Sequence, residues 1–274
     1  MCGICGIASA GQPVEQALLQ QMNQTMVHRG PDGAGVHLAD AVGLAMRRLS
    51  IIDVVGSDQP LYNEDQRIAL VFNGEIYNFR ELRHNLQQQG HVFRTDGDGE
   101  TIAHLYEQYG MDAPKYLRGQ FAFALWDSAE KRLLLARDRF GQKPLYYYHD
   151  AEGLIFASEI KVLLAHPRVP RESALNDPQM LALYLGYGYI PAPQTAFRGI
   201  SALLPGHRLI WQEGNPEPHT EPYWELPEIS AHNLDASGDI RRYVEMVREG
   251  LREATELRMI ADVPLGAFLS GGLD

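Results

Sequence analysis

Cysteine is nearly missing from this 274-residue chain: there are two, Cys2 and Cys5, both within the first five residues. Two thiols in a C-x-x-C cannot build the disulfide framework of a small secreted domain. A zinc site is equally short of ligands, because no second cysteine pair and no closely spaced histidine pair accompanies them. A redox pair is not expected either. Residues Cys2 to Ala8 read as a strand, and at a rise of about 3.3 Å per residue two positions three apart lie about 10 Å from each other, beyond the ~7 Å reach of a disulfide.

Long apolar runs are lacking too. None approaches the ~18 residues of a membrane span, and the opening MCGICGIASAGQPVEQ has neither the basic start nor the apolar stretch of a signal peptide. A cytoplasmic protein is expected, in which the sequon Asn23-Gln24-Thr25 carries no glycan. Basic charge is also in deficit: 24 Lys and Arg stand against 35 Asp and Glu, a net charge of −11. That balance argues against a chain-wide nucleic-acid or anionic-membrane surface. No internal repeat or low-complexity tract occurs. What remains, with 45% hydrophobic and 22% charged residues, is ordinary globular composition, long enough for one large domain or two unequal ones.

Short β-rich runs fill the first two thirds: Val42 to Met46, Ile68 to Phe72, Phe121 to Trp126, Arg132 to Ala136, Leu145 to Tyr148 and Leu154 to Ala157. Helical patterns lie between them at Val14 to Met26, Phe79 to Gln88 and Glu100 to Tyr109. Strands arriving as hairpin-like pairs, such as those flanking Asp127 to Lys131, predict antiparallel sheets with helices outside, an α+β layered domain. Gln212 to Asn233 holds four prolines and five acidic residues without periodicity and reads as a connection. The expected division is therefore 2–211, a linker at 212–238, and a second unit from 239. There Asp239 is placed to cap a long helix with Ile240, Tyr243, Val244, Val247, Leu251, Ala254 and Leu257 on one face, and Val263 to Leu269 reads as a strand. The chain stops at LSGGLD, a strand leading into a glycine turn. A glycine turn binds anions when a helix N-terminus follows it, so the chain is expected to be the first part of a longer protein.

TDGDGETIAHLYE imitates a calcium loop, with Asp96, Asp98, Glu100 and Glu107 at positions 1, 3, 5 and 12. Thr101 occupies position 6, where the sharp turn requires Gly, and no metal ligand set is read from the sequence. Cys2 offers different chemistry. Removal of Met1 would place a thiol and a free α-amine on one residue, and an α-amine of pKa about 7.7 to 8.0 is substantially neutral near pH 7. Such an amine can take the thiol's proton without a histidine. The alternative is a small buried side chain on a first strand.

MCGICGI, HRGPDG (28–33), RLSIID (48–53), NGEIYNF (73–79), the Asp98 loop, ARDRFGQKPLYY (136–147) and FASEIK (156–161) occur in this order. Together they closely resemble the glutamine-hydrolysing asparagine synthetases, over essentially the whole chain, with SGGLD resembling the start of that family's ATP-pyrophosphatase loop. The resemblance implies a four-layer αββα N-terminal-nucleophile sandwich followed by the beginning of an α/β synthetase domain that adenylates aspartate. It implies Cys2 as the nucleophile on the glutamine amide, and Asn73 and Gly74 as the oxyanion hole. Arg48 is implied on the α-carboxylate, Ile51 and Glu75 on the substrate, and Asp98 on its α-ammonium. Ser270, Gly271, Gly272 and Asp274 would face ATP and its Mg2+, which glutamine hydrolysis itself does not need. The serine expected after Asp274 is absent. Arg29, Asp32, Arg137 and Asp138 are given structural or interdomain roles. Glutamine, aspartate and ATP are the implied substrates, with no nucleic acid and no membrane, and a homodimer stays open. So do an amidotransferase with another ammonia acceptor and a non-catalytic module of the same fold.

Overall fold

A computed structural model of the chain describes residues 1–39, 41–228, 240–268 and 271. Its elements run β1 (Gly3–Ser9), α1 (Gln16–Gln24), β2 (Gly33–Ala39), β3 (Val42–Arg48), β4 (Leu61–Tyr62), β5 (Ile68–Ile76), α2 (Phe79–Gln88), α3 (Glu100–Tyr109) and α4 (Ala113–Tyr116). They continue with β6 (Gly119–Asp127), β7 (Arg132–Arg137), β8 (Tyr146–Asp150), β9 (Gly153–Ala157), α5 (Ile160–Leu163), α6 (Pro178–Tyr187), β10 (Ser201–Ala202), β11 (His207–Gln212), β12 (Asn215–Pro222) and α7 (Ile240–Leu257).

Among the described residues the strands form two six-stranded sheets, ordered β10-β8-β9-β1-β3-β2 and β12-β11-β7-β6-β5-β4. Side-chain alternation along each strand sorts the apolar residues into three layers of core. On β1, Ile4 and Ala8 turn inward to meet Ala69 and Val71 of β5 and Ala122 and Ala124 of β6, sealing the two sheets together. Cys5 and Ile7 turn the other way, onto Leu19, Met22 and Met26 in and beside α1. Leu70 and Phe72 of β5 face Leu82 and Leu86 of α2 and Ile102 and Leu105 of α3. The result is helix, sheet, sheet, helix, the layering that the resemblance implies.

The same alternation disposes of the C-x-x-C. Cys5 lies in the layer under α1 while Cys2 packs at the inter-sheet core, and both thiols are free.

Two expectations are corrected. The segment 212–238 is not a connection throughout: Asn215–Pro222 is β12, paired with β11 in the register Leu209↔Thr220. β12 is the edge of its sheet, and an edge strand tolerates proline because one row of its N–H groups needs no partner. Val263 to Leu269 forms no strand over its described part, 263–268, since no neighbouring strand there supplies a ladder. Asp239 lies outside the described residues.

Residues Ile240, Val244, Val247 and Leu251 of α7 are exposed. Its C-terminal end docks on the sheets: Glu253 pairs with Arg118 at 2.7 Å, and the Arg258 guanidinium stacks 4.6 Å from the Tyr77 ring centre. No described helix is long and apolar enough to cross a membrane.

Candidate active site

Strand parity builds the site. Cys2 falls in step with Ile4 and Ala8, so its side chain belongs to the inter-sheet side of β1 and packs at the edge of that core. Asn73 and Glu75 fall in step with Ala69 and Val71 on β5, across the same layer. The sheets therefore bring residue 2 and residues 73–75 to one end of the sandwich. A cleft there is lined by Cys2, Arg48, Ile51, Gly74, Glu75 and Asp98.

Several loops hold Cys2. Arg29 Nε donates to the Cys2 carbonyl at 2.8 Å, and its Nη1 pairs with Glu159 at 2.9 Å. Burial opposes ionisation of Glu159, yet hydrogen bonds from Arg29, His28 and Lys161 bring its carboxyl down to about 2. Gly30 abuts β3 so closely that a Cβ would lie 2.3 Å from the Arg47 carbonyl carbon. Asp32 accepts from Ser50 N–H at 3.0 Å, shaping the turn whose Leu49 N–H donates to Cys2 Sγ at 3.3 Å. Burial pushes the Cys2 thiol above its ordinary value, against the pull of that Leu49 hydrogen bond. An adjacent base is thus needed to make thiolate.

Opposite the thiol, Asn73 is 1% exposed and its Nδ2 has no hydrogen-bond partner. Such a buried donor costs about 1–3 kcal/mol and is rare in native structures unless something else uses it. Gly74 is required by close approach: a Cβ there would lie 2.1 Å from the Gln120 carbonyl oxygen on β6.

At the other end of the cleft, Glu75 and Asp98 face each other. Burial, then the Asp98 carboxylate, push Glu75 up to about 8. Asp98 is likewise pushed up by burial, although it accepts from Ile76 N–H at 2.7 Å. Two carboxyl groups raised together form a pocket that gains from an incoming cation.

Arg48 departs from a free carboxylate clamp. Its Nη1 donates to Val54 O at 3.0 Å and Asp58 Oδ1 at 3.1 Å, and its Nη2 to Ile52 O at 3.2 Å and Asp53 O at 2.6 Å. All four of those N–H groups organise the loop at 51–58. Asp58 is the one carboxylate among their acceptors, and its side chain is 83% exposed, so it is the partner that an outside carboxylate can replace.

Arg137 and Asp138 organise the loop after β7. Asp138 accepts from the N–H groups of Phe121, Phe140, Gln142 and Lys143, and Arg137 donates to the carbonyls of Lys143, Gly141 and Leu203. That loop buries Lys143, whose ammonium burial makes easier to deprotonate, with the Glu75 carboxylate opposing. Reading the sequence assigned no role to Lys143, Ser57 or Gln59, though Lys143 stands inside the quoted ARDRFGQKPLYY and the other two line the cleft. Of the residues assigned to ATP, Gly271 is exposed with φ +75°, and Ser270, Gly272 and Asp274 lie outside the described residues.

Two stacked antiparallel sheets between helix layers, with a residue-2 thiol at their open end, define the class of N-terminal-nucleophile amidotransferase folds. A solved structure of glutamine phosphoribosylpyrophosphate (PRPP) amidotransferase from B. subtilis shares this fold at a TM-score of 0.60 and 20% identity, over 82% of this chain and 50% of that one. A family model described as a glutamine amidotransferase domain matches residues 1–224, and one described as asparagine synthase matches residues 246–274. The chain belongs to the glutamine amidotransferase domain family. It is similar to asparagine synthetase [glutamine-hydrolyzing] 1 of Bacillus subtilis, 37% identical over 279 residues, covering 100% of this chain and 42% of that protein. It is also similar to amidase chry2 of Gibberella zeae, 38% identical over 272 residues, covering 97% of this chain and 38% of that protein. The chain thus spans less than half the length of these relatives.

Proposed function

We propose that this chain hydrolyses the side-chain amide of glutamine through a thioester on Cys2. The observation that carries the reading is the Asn73 Nδ2 donor, buried and unpartnered on the inter-sheet side that Cys2 shares. Removal of Met1 would free the Cys2 α-amine, which takes the thiol proton as Sγ attacks the amide carbon. The carbonyl oxygen becomes an oxyanion facing Asn73 Nδ2 and the Gly74 N–H. The amine then returns the proton to the departing nitrogen, the C–N bond breaks and ammonia leaves. Water cleaves the thioester to give glutamate. Asp98 and Glu75 receive the substrate α-ammonium, and Arg48 receives the α-carboxylate in exchange for Asp58, with Ile51 beside them.

In a protein of the relatives' length, the ammonia would pass to an aspartate activated by ATP and Mg2+, which Ser270, Gly271, Gly272 and Asp274 would help to hold. The asparagine synthase model over 246–274 supports that half of the reading. The likeness to an amidase over 97% of the chain favours a second reading for the acceptor alone, in which ammonia goes to a carboxyl group other than that of aspartate.

Intact mass and glutamate release test the first half together. An active protein should begin at Cys2, and Cys2→Ala should abolish hydrolysis. Cys5→Ser, whose side chain lies under α1, should retain most of it. Full activity with Met1 attached, or in Cys2→Ala, would overturn the mechanism. Asparagine formation by the full-length protein decides the acceptor.

A further inference from the structure

The helix that follows Asp98 carries a second set of buried polar groups. Glu100, His104 and Glu107 recur at helical spacing on one face of α3. The turn after β4 contributes Glu64, and the segment after α2 contributes His91. His91 and His104 are thirteen positions apart in sequence, yet their ring centres lie 5.1 Å apart.

Four of these side chains converge. His104 Nδ1 lies 3.0 Å from Glu107 Oε2 and 3.5 Å from Glu64 Oε2. His91 Nδ1 lies 3.5 Å from Glu107 Oε2 and 3.6 Å from Glu64 Oε1. One donor atom from each of Glu64, His91, His104 and Glu107 lies within 4.8 Å of all the others. A tetrahedral cation with bonds of about 2.0–2.1 Å sets its ligand atoms about 3.3–3.4 Å apart; three of the pairs stand at 3.0 to 3.5 Å, and the rest lie within 4.8 Å.

The outer partners are those that a metal-binding histidine needs. His104 Nε2 faces Glu100 Oε1 at 3.4 Å, and His91 Nε2 faces Gln108 Oε1 at 3.4 Å. An oxygen acceptor on the far nitrogen fixes the tautomer that leaves the near nitrogen free to ligate, and in both rings the near nitrogen is Nδ1. The carboxylates are oriented too: Asn63 Nδ2 donates to Glu107 Oε1 at 2.8 Å and Val92 N–H to Glu64 Oε1 at 2.7 Å. Glu107 therefore keeps Oε2 for the centre, while Glu64 turns Oε2 toward His104 and Oε1 toward His91.

We propose that Glu64, His91, His104 and Glu107 form a tetrahedral structural site for a divalent transition cation of the zinc class. Two imidazole nitrogens with two carboxylate oxygens suit zinc; calcium and magnesium prefer all-oxygen shells of higher coordination number. The set is closed, with four protein ligands and no position left for substrate, which is the structural arrangement. Its mechanical connection to the cleft runs through Glu100, which accepts from Arg94 N–H at 2.8 Å and Thr95 N–H at 2.7 Å. The cation braces residues 91–95, the segment that leads into Asp98.

Untagged full chain, stripped with chelator, is titrated with Co2+ and then Zn2+. The expected result is one equivalent of Co2+ giving the intense visible bands of a tetrahedral ion, bleached by one equivalent of Zn2+, with a rise in melting temperature on Zn2+ addition. His91→Ala and Glu107→Gln should each abolish the bands, whereas His84→Ala, at an exposed histidine of α2, should leave them intact. Glu100→Gln should keep the bands while weakening Zn2+ about 10- to 100-fold. No tetrahedral spectrum at one equivalent, or bands that survive in both His91→Ala and Glu107→Gln, would leave only a proton-bridged ion network and overturn the proposal. None of these readouts depends on glutamine hydrolysis.

Discussion

The cleft at Cys2 and the cluster on α3 both bury charge, and they compensate it in opposite ways. In the cleft, Asn73 Nδ2 has no partner, and burial, with the Asp98 carboxylate beside it, pushes the Glu75 carboxyl up. On α3, His104 is fully buried but faces Glu64, Glu100 and Glu107 within 3.5 Å, and no buried side-chain atom of these four residues goes unpartnered. Burial opposes its charge, but the Glu100 and Glu107 hydrogen bonds carry the imidazole up to about 9. Of these two sites, the one at Cys2 alone carries an unpartnered buried side-chain atom, Asn73 Nδ2. Substitutions in the cleft should harm turnover without harming the fold; substitutions on α3 should do the reverse.

The sharpest break comes from Asn73→Ala. If its amide is an oxyanion donor, kcat should fall about 10²- to 10³-fold with the melting temperature unchanged or raised, measured by steady-state glutaminase assay and calorimetry. Unchanged kcat would remove Asn73 from the chemistry. Glu100→Ala is the mirror case. It strands the Arg94 and Thr95 donors, so stability should drop by about 1–3 kcal/mol while kcat stays within about twofold; a matching loss of kcat would erase the contrast.

Glu75→Gln sharpens the comparison through pH. A carboxyl raised in the folded state contributes stability that is full below its unfolded value and is lost as pH rises through the folded one. For Glu75 that window runs from 4.5 to about 8. The variant should therefore melt close to wild type near pH 5 and above it at pH 9, and parallel curves would show that Glu75 does not titrate there.

Asp262→Ala should have the smallest effect. Asp262 N–H donates to Ile51 O at 2.9 Å, and its Oδ2 accepts from Asp53 N–H at 2.6 Å. This ties the segment after α7 to the loop that Arg48 organises. Its loss should raise KM about two- to tenfold, the range of one modest hydrogen bond, with kcat unchanged.

Much of this was legible before the fold. Phe79–Gln88 and Glu100–Tyr109 coincide with α2 and α3 because each has one apolar face. Placing Cys2 opposite Asn73 needed only strand parity once β1 and β5 were known to lie in facing sheets. β2 escaped notice because Gly33 and Gly35 interrupt its pattern, and β12 because Pro216, Pro218 and Pro222 imitate a linker. α6 (PQMLALYLGY) is apolar on most sides and carries no helical stripe. The loop grip of Arg48, the burial of Lys143 and the meeting of His91 with His104 depend on contacts between distant segments, and no local pattern encodes those.

The Arg29 bond to the Cys2 carbonyl matters most once residue 2 is the end of the chain. A terminal residue has a single peptide neighbour, and chain ends fray unless tied down. The ladder begins only at Gly3, paired with Arg47, so nothing in the sheet restrains rotation of the residue before it. A guanidinium clasping that one carbonyl, itself secured at 2.9 Å to Glu159 on another loop, removes the looseness of a free end. The ordering cost is met during folding, before any substrate arrives, and an end that would sweep through many orientations is aimed in advance.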